Sequence, residues 1–94
     1  MHIEHFDDGK KGHFKAVENG QQAGIMTYVW AGDDKFIIEH TIGNPEFKGQ
    51  NVGMKMLTEA VGYARNKNLK IIPLCPFAKK MFDKHQDIND VLSK

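Results

Sequence analysis

The spacing of apolar residues changes period near the middle of the chain, and this change limits the fold more than any other feature. Before Pro45, three runs are rich in β-forming residues and are separated by turn sequences such as Asn19-Gly20. The runs cover residues 13–17, 23–31 and 35–42. They predict three antiparallel strands, because Asn-Gly accepts the positive φ of a tight hairpin. Residues 3–6 are predicted to add a short edge strand.

After Pro45 the pattern becomes helical. Apolar residues recur at three- and four-residue steps and form one stripe: Val52, Met56, Leu57, Ala60, Val61 and Ala64. This stripe predicts a helix that ends at Lys67-Asn68 and covers the sheet. Residues 69–74 predict a buried strand closed by Pro73, and a right-handed crossover would make it parallel to the strand at 35–42. The predicted fold class is therefore α/β (α+β), with antiparallel strands, a helix, a parallel strand and short C-terminal helices.

Two short helices are predicted at the end of the chain, over residues 76–84 and 87–92. Pro76 suits the first helical position and Asp87 suits a cap. Three aromatic residues in the β-rich half are predicted to pack in the core rather than to stack on bases: Tyr28, Trp30 and Phe36. His2 and His5 are predicted to be solvated at a frayed edge.

Length and charge exclude several classes of function. A chain of 94 residues has room for one small core, so residues 1–94 are predicted to form a single domain. With 13 basic and 12 acidic residues the net charge is +1, which predicts neither nucleic acid nor membrane as a partner. Cys75 is the only cysteine, so no disulfide framework or cysteine-based zinc site is expected. No apolar run approaches the roughly 20 residues of a membrane span, and we expect a cytoplasmic protein.

The loop Lys48-Gly49-Gln50-Asn51-Val52-Gly53 carries the main chemical pattern. It precedes the predicted helix, whose N-terminus offers free N–H groups and a partial positive charge to an anion. Gly49 and Gly53 would let a phosphate approach the backbone, and Lys48 and Lys55 would add positive charge. From these residues alone, a phosphate-binding loop and a plain loop both stay open.

This loop resembles the acetyl-coenzyme A motif of the GCN5-related N-acetyltransferase superfamily, Arg/Gln-x-x-Gly-x-Gly/Ala. Lys48 stands where the family has Arg or Gln, Asn51 replaces the first motif glycine, and Gly53 keeps the last. Asn tolerates positive φ, so the replacement can preserve the turn. Two further segments, Glu39-His40-Thr41 and Pro73-Leu74-Cys75-Pro76-Phe77, resemble the very short acetyltransferase-like proteins of this superfamily.

The resemblance implies acetyl-CoA or coenzyme A as the cofactor, held between two parallel strands that splay apart. It implies that the backbone of His40, Thr41 and Ile42 binds the pantetheine arm. The pyrophosphate would lie at residues 48–53, which are Lys48, Gly49, Gln50, Asn51, Val52 and Gly53. It also implies that Cys75 and His40 form the catalytic pair.

The role of Cys75 stays open at the level of sequence. A lone cysteine after a buried strand is most often a small apolar core residue. With His40 as its base, the thiol would accept the acetyl group or line the cofactor tunnel. Two functions follow: acetyl transfer to an unidentified amine, or a non-catalytic module that binds coenzyme A or a protein partner. An exposed sheet edge is compatible with a monomer or a weak dimer.

Overall fold

The computed structural model describes residues 1–93, which form one five-stranded sheet with both α-helices packed on the same face. The strands, in chain order and in order across the sheet, are β1 (His2–Asp7), β2 (Lys11–Glu18), β3 (Gln21–Trp30), β4 (Lys35–Gly43) and β5 (Lys70–Pro73). The helices are α1 (Val52–Lys67) and α2 (Pro76–Lys84). Short 3-10 helices occupy Pro45–Phe47 and Gln86–Val91.

The topology confirms the predicted fold class. β1 to β4 form an antiparallel meander, and β5 pairs with β4 in parallel after the crossover through α1. The β2–β3 turn places Asn19 at φ 51° and Gly20 at φ 77°, as the Asn-Gly pattern predicts. β1 is longer than the predicted edge strand and pairs with β2 over its whole length.

The two faces of the sheet differ in what covers them. Along β3, Met26 and Tyr28 are buried against the helices, whereas Ile25, Thr27 and Val29 alternate with them and stay partly exposed. We call the helix-covered side the inner face and the other side the open face. Paired residues on neighbouring strands share a face, so the register assigns every strand residue to one side.

The predicted stripe of α1 is the part of the helix that meets the sheet, and all six of its residues are buried. Gly24 on β3 lets the start of α1 come close. A Cβ at Gly24 would lie 2.8 Å from Val52 Cγ1, 3.0 Å from the Ile42 carbonyl oxygen and 3.1 Å from Met56 Cε. The absence of a side chain at Gly24 therefore sets the height at which α1 begins above the sheet.

The chain after α2 differs from the prediction in detail. The predicted helix at residues 87–92 is a 3-10 helix that begins at Gln86, and His85 rather than Asp87 precedes its first residue. Arg65 of α1 holds this segment: it donates two hydrogen bonds to the Asp90 carboxylate, at 2.9 and 2.8 Å, and one to the Asp87 carbonyl oxygen. Arg65 thus ties this segment to α1, a contact that the local sequence of residues 86–91 does not indicate.

His5 is exposed, as the sequence predicts, but its ring is held by contacts that the sequence does not indicate. Its ring stacks on Phe14 with centroids 4.2 Å apart, and its Nε2 lies 2.6 Å from the Tyr28 hydroxyl. Tyr28 donates its own proton to Asp7 Oδ2, at 2.5 Å, so His5 Nε2 donates to the Tyr28 oxygen. Trp30 Nε1 donates to the same Asp7 oxygen at 2.7 Å. The predicted aromatic packing of Tyr28, Trp30 and Phe36 is present, and it extends to the edge strand.

Candidate functional site

β4 and β5 separate halfway along β4, and this leaves a gap in the sheet. Their pairing ends at Ile38 and Pro73. The Ile38 carbonyl oxygen accepts the last two bonds across the strands, from Leu74 N at 3.0 Å and Cys75 N at 3.1 Å. β4 then continues to Gly43 while the chain after β5 turns into α2. The second half of β4 therefore has an edge that no strand of residues 1–93 covers.

A β-bulge lies at the point of separation. Tyr28 pairs with Ile38 but Thr27 pairs with His40, so Glu39 is the extra residue on β4. A bulge bends its strand and re-aims the side chains that follow. Because Ile38 lies on the inner face, alternation places Glu39 on the open face, and the pairing with Thr27 places His40 there too. Glu39 and His40 are consequently neighbours on the same side.

The Cys75 side chain lies on the inner face and is almost fully buried, with 3% exposure. Its Sγ accepts the Ala78 N–H at 3.3 Å, so the thiol caps the N-terminus of α2. Thr41 Oγ1 lies 3.3 Å from the same sulfur. Thr41 pairs with the buried residue Met26, which explains its position on the inner face.

The structure brings the strands of His40 and Cys75 together but not their side chains. The strands are parallel neighbours, as predicted, whereas the bulge directs the exposed His40 ring to the open face. Among residues 1–93 the thiol bonds with Thr41 and the Ala78 N–H, not with His40. Cys75 and His40 thus flank the gap from opposite faces of the sheet.

The predicted phosphate loop immediately precedes α1. Gly49 has φ +88° and open space around it, and Asn51 adopts the left-handed conformation with φ 57°. The Asn51 side chain caps no N–H, and the first turn of α1 contains no acidic residue. The first N–H groups of a helix have no intrahelical acceptor. The start of α1 therefore presents free donors and a partial positive charge beside the gap.

Gly53 has a contact that sequence reasoning missed. A Cβ at this position would lie 2.6 Å from Phe77 Cζ. Because Gly53 has no side chain, the start of α1 packs directly on the phenyl ring of Phe77 in α2. The Pro-Leu-Cys-Pro-Phe segment contains the two residues that carry these contacts, Cys75 and Phe77. Their partners, Thr41 and Gly53, come from β4 and α1 and could not be identified from that segment alone.

Within residues 1–93, no three His, Cys, Asp or Glu side chains gather as metal ligands. The same residues contain no helix of the length and hydropathy needed to cross a membrane. A cavity of about 620 Å³ lies between β1 and the first half of α1. Its lining comprises Met1, His2, Ile3, Asn51, Met54, Lys55, Thr58 and Glu59.

Comparisons with known structures support the assignment of the fold. A GCN5-like protein of Staphylococcus aureus, assigned to the N-acetyltransferases, is 36% identical, with a TM-score of 0.71 over 96% of this chain and 87% of its own. A GNAT family acetyltransferase from Elizabethkingia anophelis, with acetyl-CoA bound, is 18% identical and has a TM-score of 0.60. The match covers 68% of this chain and 42% of that protein.

A third similar structure comes from Bacillus anthracis, is assigned as a streptothricin acetyltransferase and was solved in complex with acetyl coenzyme A. It is 17% identical with a TM-score of 0.64, and the match covers 83% of this chain and 47% of that protein. This chain therefore spans less than half of the two larger acetyltransferases. A search of curated proteins gave no match.

The family model described as GCN5-related N-acetyl-transferase matches residues 13–91, which include the sheet from β2 onward, the loop and both α-helices. The match agrees with the loop motif, the separated parallel strands and the close structural similarity to the Staphylococcus aureus protein. The chain belongs to the GCN5-related N-acetyltransferase family.

Proposed function

We propose that this chain binds acetyl-CoA in the gap between β4 and β5 and transfers the acetyl group to an amine. One observation carries the proposal: the uncovered edge of β4 lies beside the uncapped N-terminus of α1. A free strand edge offers backbone N–H and carbonyl groups to the amides of the pantetheine arm. A helix N-terminus offers N–H groups to the phosphates. The acetyl-CoA bound to two of the similar structures supports this choice of cofactor.

The residues at the gap fit such a cofactor. The backbone of His40, Thr41 and Ile42 would bind the pantetheine amides along the free edge of β4. Residues 48–53 would bind the pyrophosphate through N–H groups, helped by the exposed Lys48 and by the open space at Gly49. Bound acetyl-CoA supplies the thioester whose carbonyl carbon the amine attacks.

We assign His40 as the group that takes the proton of the attacking amine. Its imidazole is exposed on the open face, where an acceptor can approach without moving a helix. Cys75 borders the gap from the inner face. A relay through a Cys75 thioester would require the sulfur to give up the Ala78 N–H, which loosens the start of α2. We therefore expect direct transfer, with Cys75 and Thr41 lining the inner wall.

Calorimetric titration with acetyl-CoA tests the cofactor site. Gln50→Glu adds a negative charge to the exposed loop without adding bulk. At about 4 Å from a phosphate, a unit charge costs about 1 to 4 kcal/mol, so we expect the dissociation constant to rise at least fivefold. Gln86→Glu makes the same change at an exposed position away from the loop and should leave affinity unchanged. Equal affinity of the two variants would refute the loop assignment.

Mass spectrometry of the intact chain after incubation with acetyl-CoA tests the route of transfer. Direct transfer predicts that Cys75 gains no acetyl group and that Cys75→Ala retains transfer to amines. His40→Gln should bind acetyl-CoA normally but lose most of the transfer rate. A single stable acetyl on Cys75 that is discharged by added amine would establish the relay instead.

A module that binds coenzyme A without turnover is the second candidate, and the placement of Cys75 and His40 on opposite faces favours it. Such a module would bind acetyl-CoA with the loop dependence described above yet release no coenzyme A thiol in the presence of any amine. Measuring thiol release beside calorimetry on the same sample separates the two functions.

A further inference from the structure

Two of the three large apolar side chains that are strongly exposed within residues 1–93 flank the gap. They are Ile42, at 62% exposure, and Leu74, at 66%; the third is Phe6, at 51%. Ile42 lies near the end of β4, and Leu74 directly follows β5. Leu74 lies beside Ile38 and Ile42 lies four residues farther along β4, so the two side chains border the gap near its opposite ends.

Both side chains belong to the open face. Ile42 pairs with Ile25, which alternates with the buried residues Gly24 and Met26. Leu74 stands between Pro73, which pairs with the inward residue Ile38, and the buried Cys75. The open face at the gap therefore has an apolar group on each side of His40, one from β4 and one from the end of β5.

Glu39 adds a carboxylate to this surface. The bulge places it beside His40 on the open face, and the ion pairs found within residues 1–93 do not include it. An amine reaches the protein mainly as an ammonium ion, which a carboxylate attracts. One carboxylate suits a single ammonium group rather than a polycation.

We propose that the open face at the gap binds an acceptor whose single primary amine is carried on an apolar body. This inference rests on the proposed acetyl transfer and names its substrate class. Ile42 and Leu74 contact the apolar body, and Glu39 attracts the ammonium. His40 takes one proton from it; the nitrogen then forms a bond to the acetyl carbon, and the carbon–sulfur bond breaks. Coenzyme A leaves as the thiol after taking up the second amine proton, so atoms and charge balance.

An amine panel tests the substrate class through release of the coenzyme A thiol. Hexylamine and ethanolamine carry the same amine on bodies of different apolar length, and spermidine is the polycation. Partial burial of four extra carbon positions is expected to lower the KM of hexylamine about tenfold relative to ethanolamine. Equal values, or a lower KM for spermidine, would overturn the proposal.

Three matched variants localise the effect. Ile42→Ser and Leu74→Ser should each raise the KM of hexylamine severalfold. Leu74→Ser should leave the KM of acetyl-CoA unchanged, because Leu74 makes none of the proposed cofactor contacts. Phe6→Ser removes a comparably exposed apolar side chain near the other edge of the sheet and should change neither. If Phe6→Ser has the same effect as the other two, the acceptor surface lies elsewhere.

A binding measurement keeps the inference testable without turnover. Hexylamine titrated into the protein in the presence of free coenzyme A should shift the NMR methyl signals of Ile42 and Leu74. Shifts confined to other methyl groups, or none at millimolar amine, would contradict the acceptor surface. Loss of acetyl-CoA binding itself would instead refute the proposed function. A dimer that Leu74→Ser dissociates, with no change in amine shifts, would identify the surface as a contact between copies.

Discussion

Gly24→Ala links the packing of the sheet to the position of the cofactor loop. The added methyl group would meet Val52 Cγ1 at 2.8 Å, the Ile42 carbonyl oxygen at 3.0 Å and Met56 Cε at 3.1 Å. All three distances are shorter than ordinary carbon contacts, so α1 must rise or β4 must move. Inserting a methyl group into a packed core costs about 1 to 3 kcal/mol.

The lower conformational freedom of alanine in the unfolded chain offsets only part of this cost. The φ of Gly24 is not positive, so alanine fits the conformation and reduces the freedom of the unfolded chain by about 0.5 to 1 kcal/mol. Taken at the middle of both ranges, the net loss is about 1 kcal/mol. For a domain of this length it corresponds to a fall in Tm of about 4 to 8 °C.

Urea unfolding followed by circular dichroism measures the loss, and Gly62→Ala is the matched control. Gly62 lies on the exposed side of α1, where a Cβ has no neighbour within 4 Å, so alanine should stabilise the helix by about 1 kcal/mol. Adding Val52→Ala to Gly24→Ala should cost less than the sum of the two single changes, because Val52 Cγ1 is the nearest atom. A Gly24→Ala protein as stable as the wild type would show that α1 does not approach the sheet as described.

Three further predictions concern the edge strand and the loop. Burial lowers the pKa of His5, and Asp7 opposes this shift, so His5 favours folding when it is uncharged. The contribution of His5 to stability should be complete above pH 6.5 and should decrease as the pH falls below that value. In His5→Gln the urea midpoint should therefore depend less on pH in this range. Burial alone would raise the pKa of Asp7, but hydrogen bonds from Tyr28, Gly9 and Trp30 outweigh it and lower that pKa. The Asp7 contribution is thus present above about pH 4 and lost in acid, and Asp7→Asn should lower the urea midpoint at pH 7 without adding acid sensitivity. At the loop, Asn51→Gly should keep both stability and acetyl-CoA affinity. Asn51→Ala should lower the free energy of unfolding, measured in urea, by about 1 kcal/mol because φ 57° is costly for alanine. Equal stability of the two variants would refute this prediction.

The architecture could be predicted from the sequence because its elements are encoded locally. The change in apolar period near Pro45 separates the meander from α1, and the six-residue stripe gives the buried side of that helix. Turn residues fix the first hairpin, where Asn19-Gly20 takes positive φ. At the loop, Asn51 adopts the left-handed conformation that its substitution for a motif glycine suggests.

The arrangement of the candidate site could not be predicted in the same way, because it depends on contacts between distant elements. One extra residue on β4, Glu39, decides which face His40 occupies, and a bulge leaves little trace in a strand-like sequence. The Thr41–Cys75 contact and the packing of Gly53 on Phe77 require the positions of both α-helices. The contacts of His5 could not be predicted for the same reason, because its partners Phe14 and Tyr28 lie on β2 and β3.

The cap that Cys75 provides for α2 changes how thiol labelling of this protein must be interpreted. A sulfur that accepts the Ala78 N–H and is 3% exposed reacts with an alkylating reagent only while the start of α2 is open. The labelling rate then measures how often this end of the gap opens, and its dependence on urea separates local opening from global unfolding. Protection by a ligand would consequently report stabilisation of the closed gap, even where the ligand never touches the thiol.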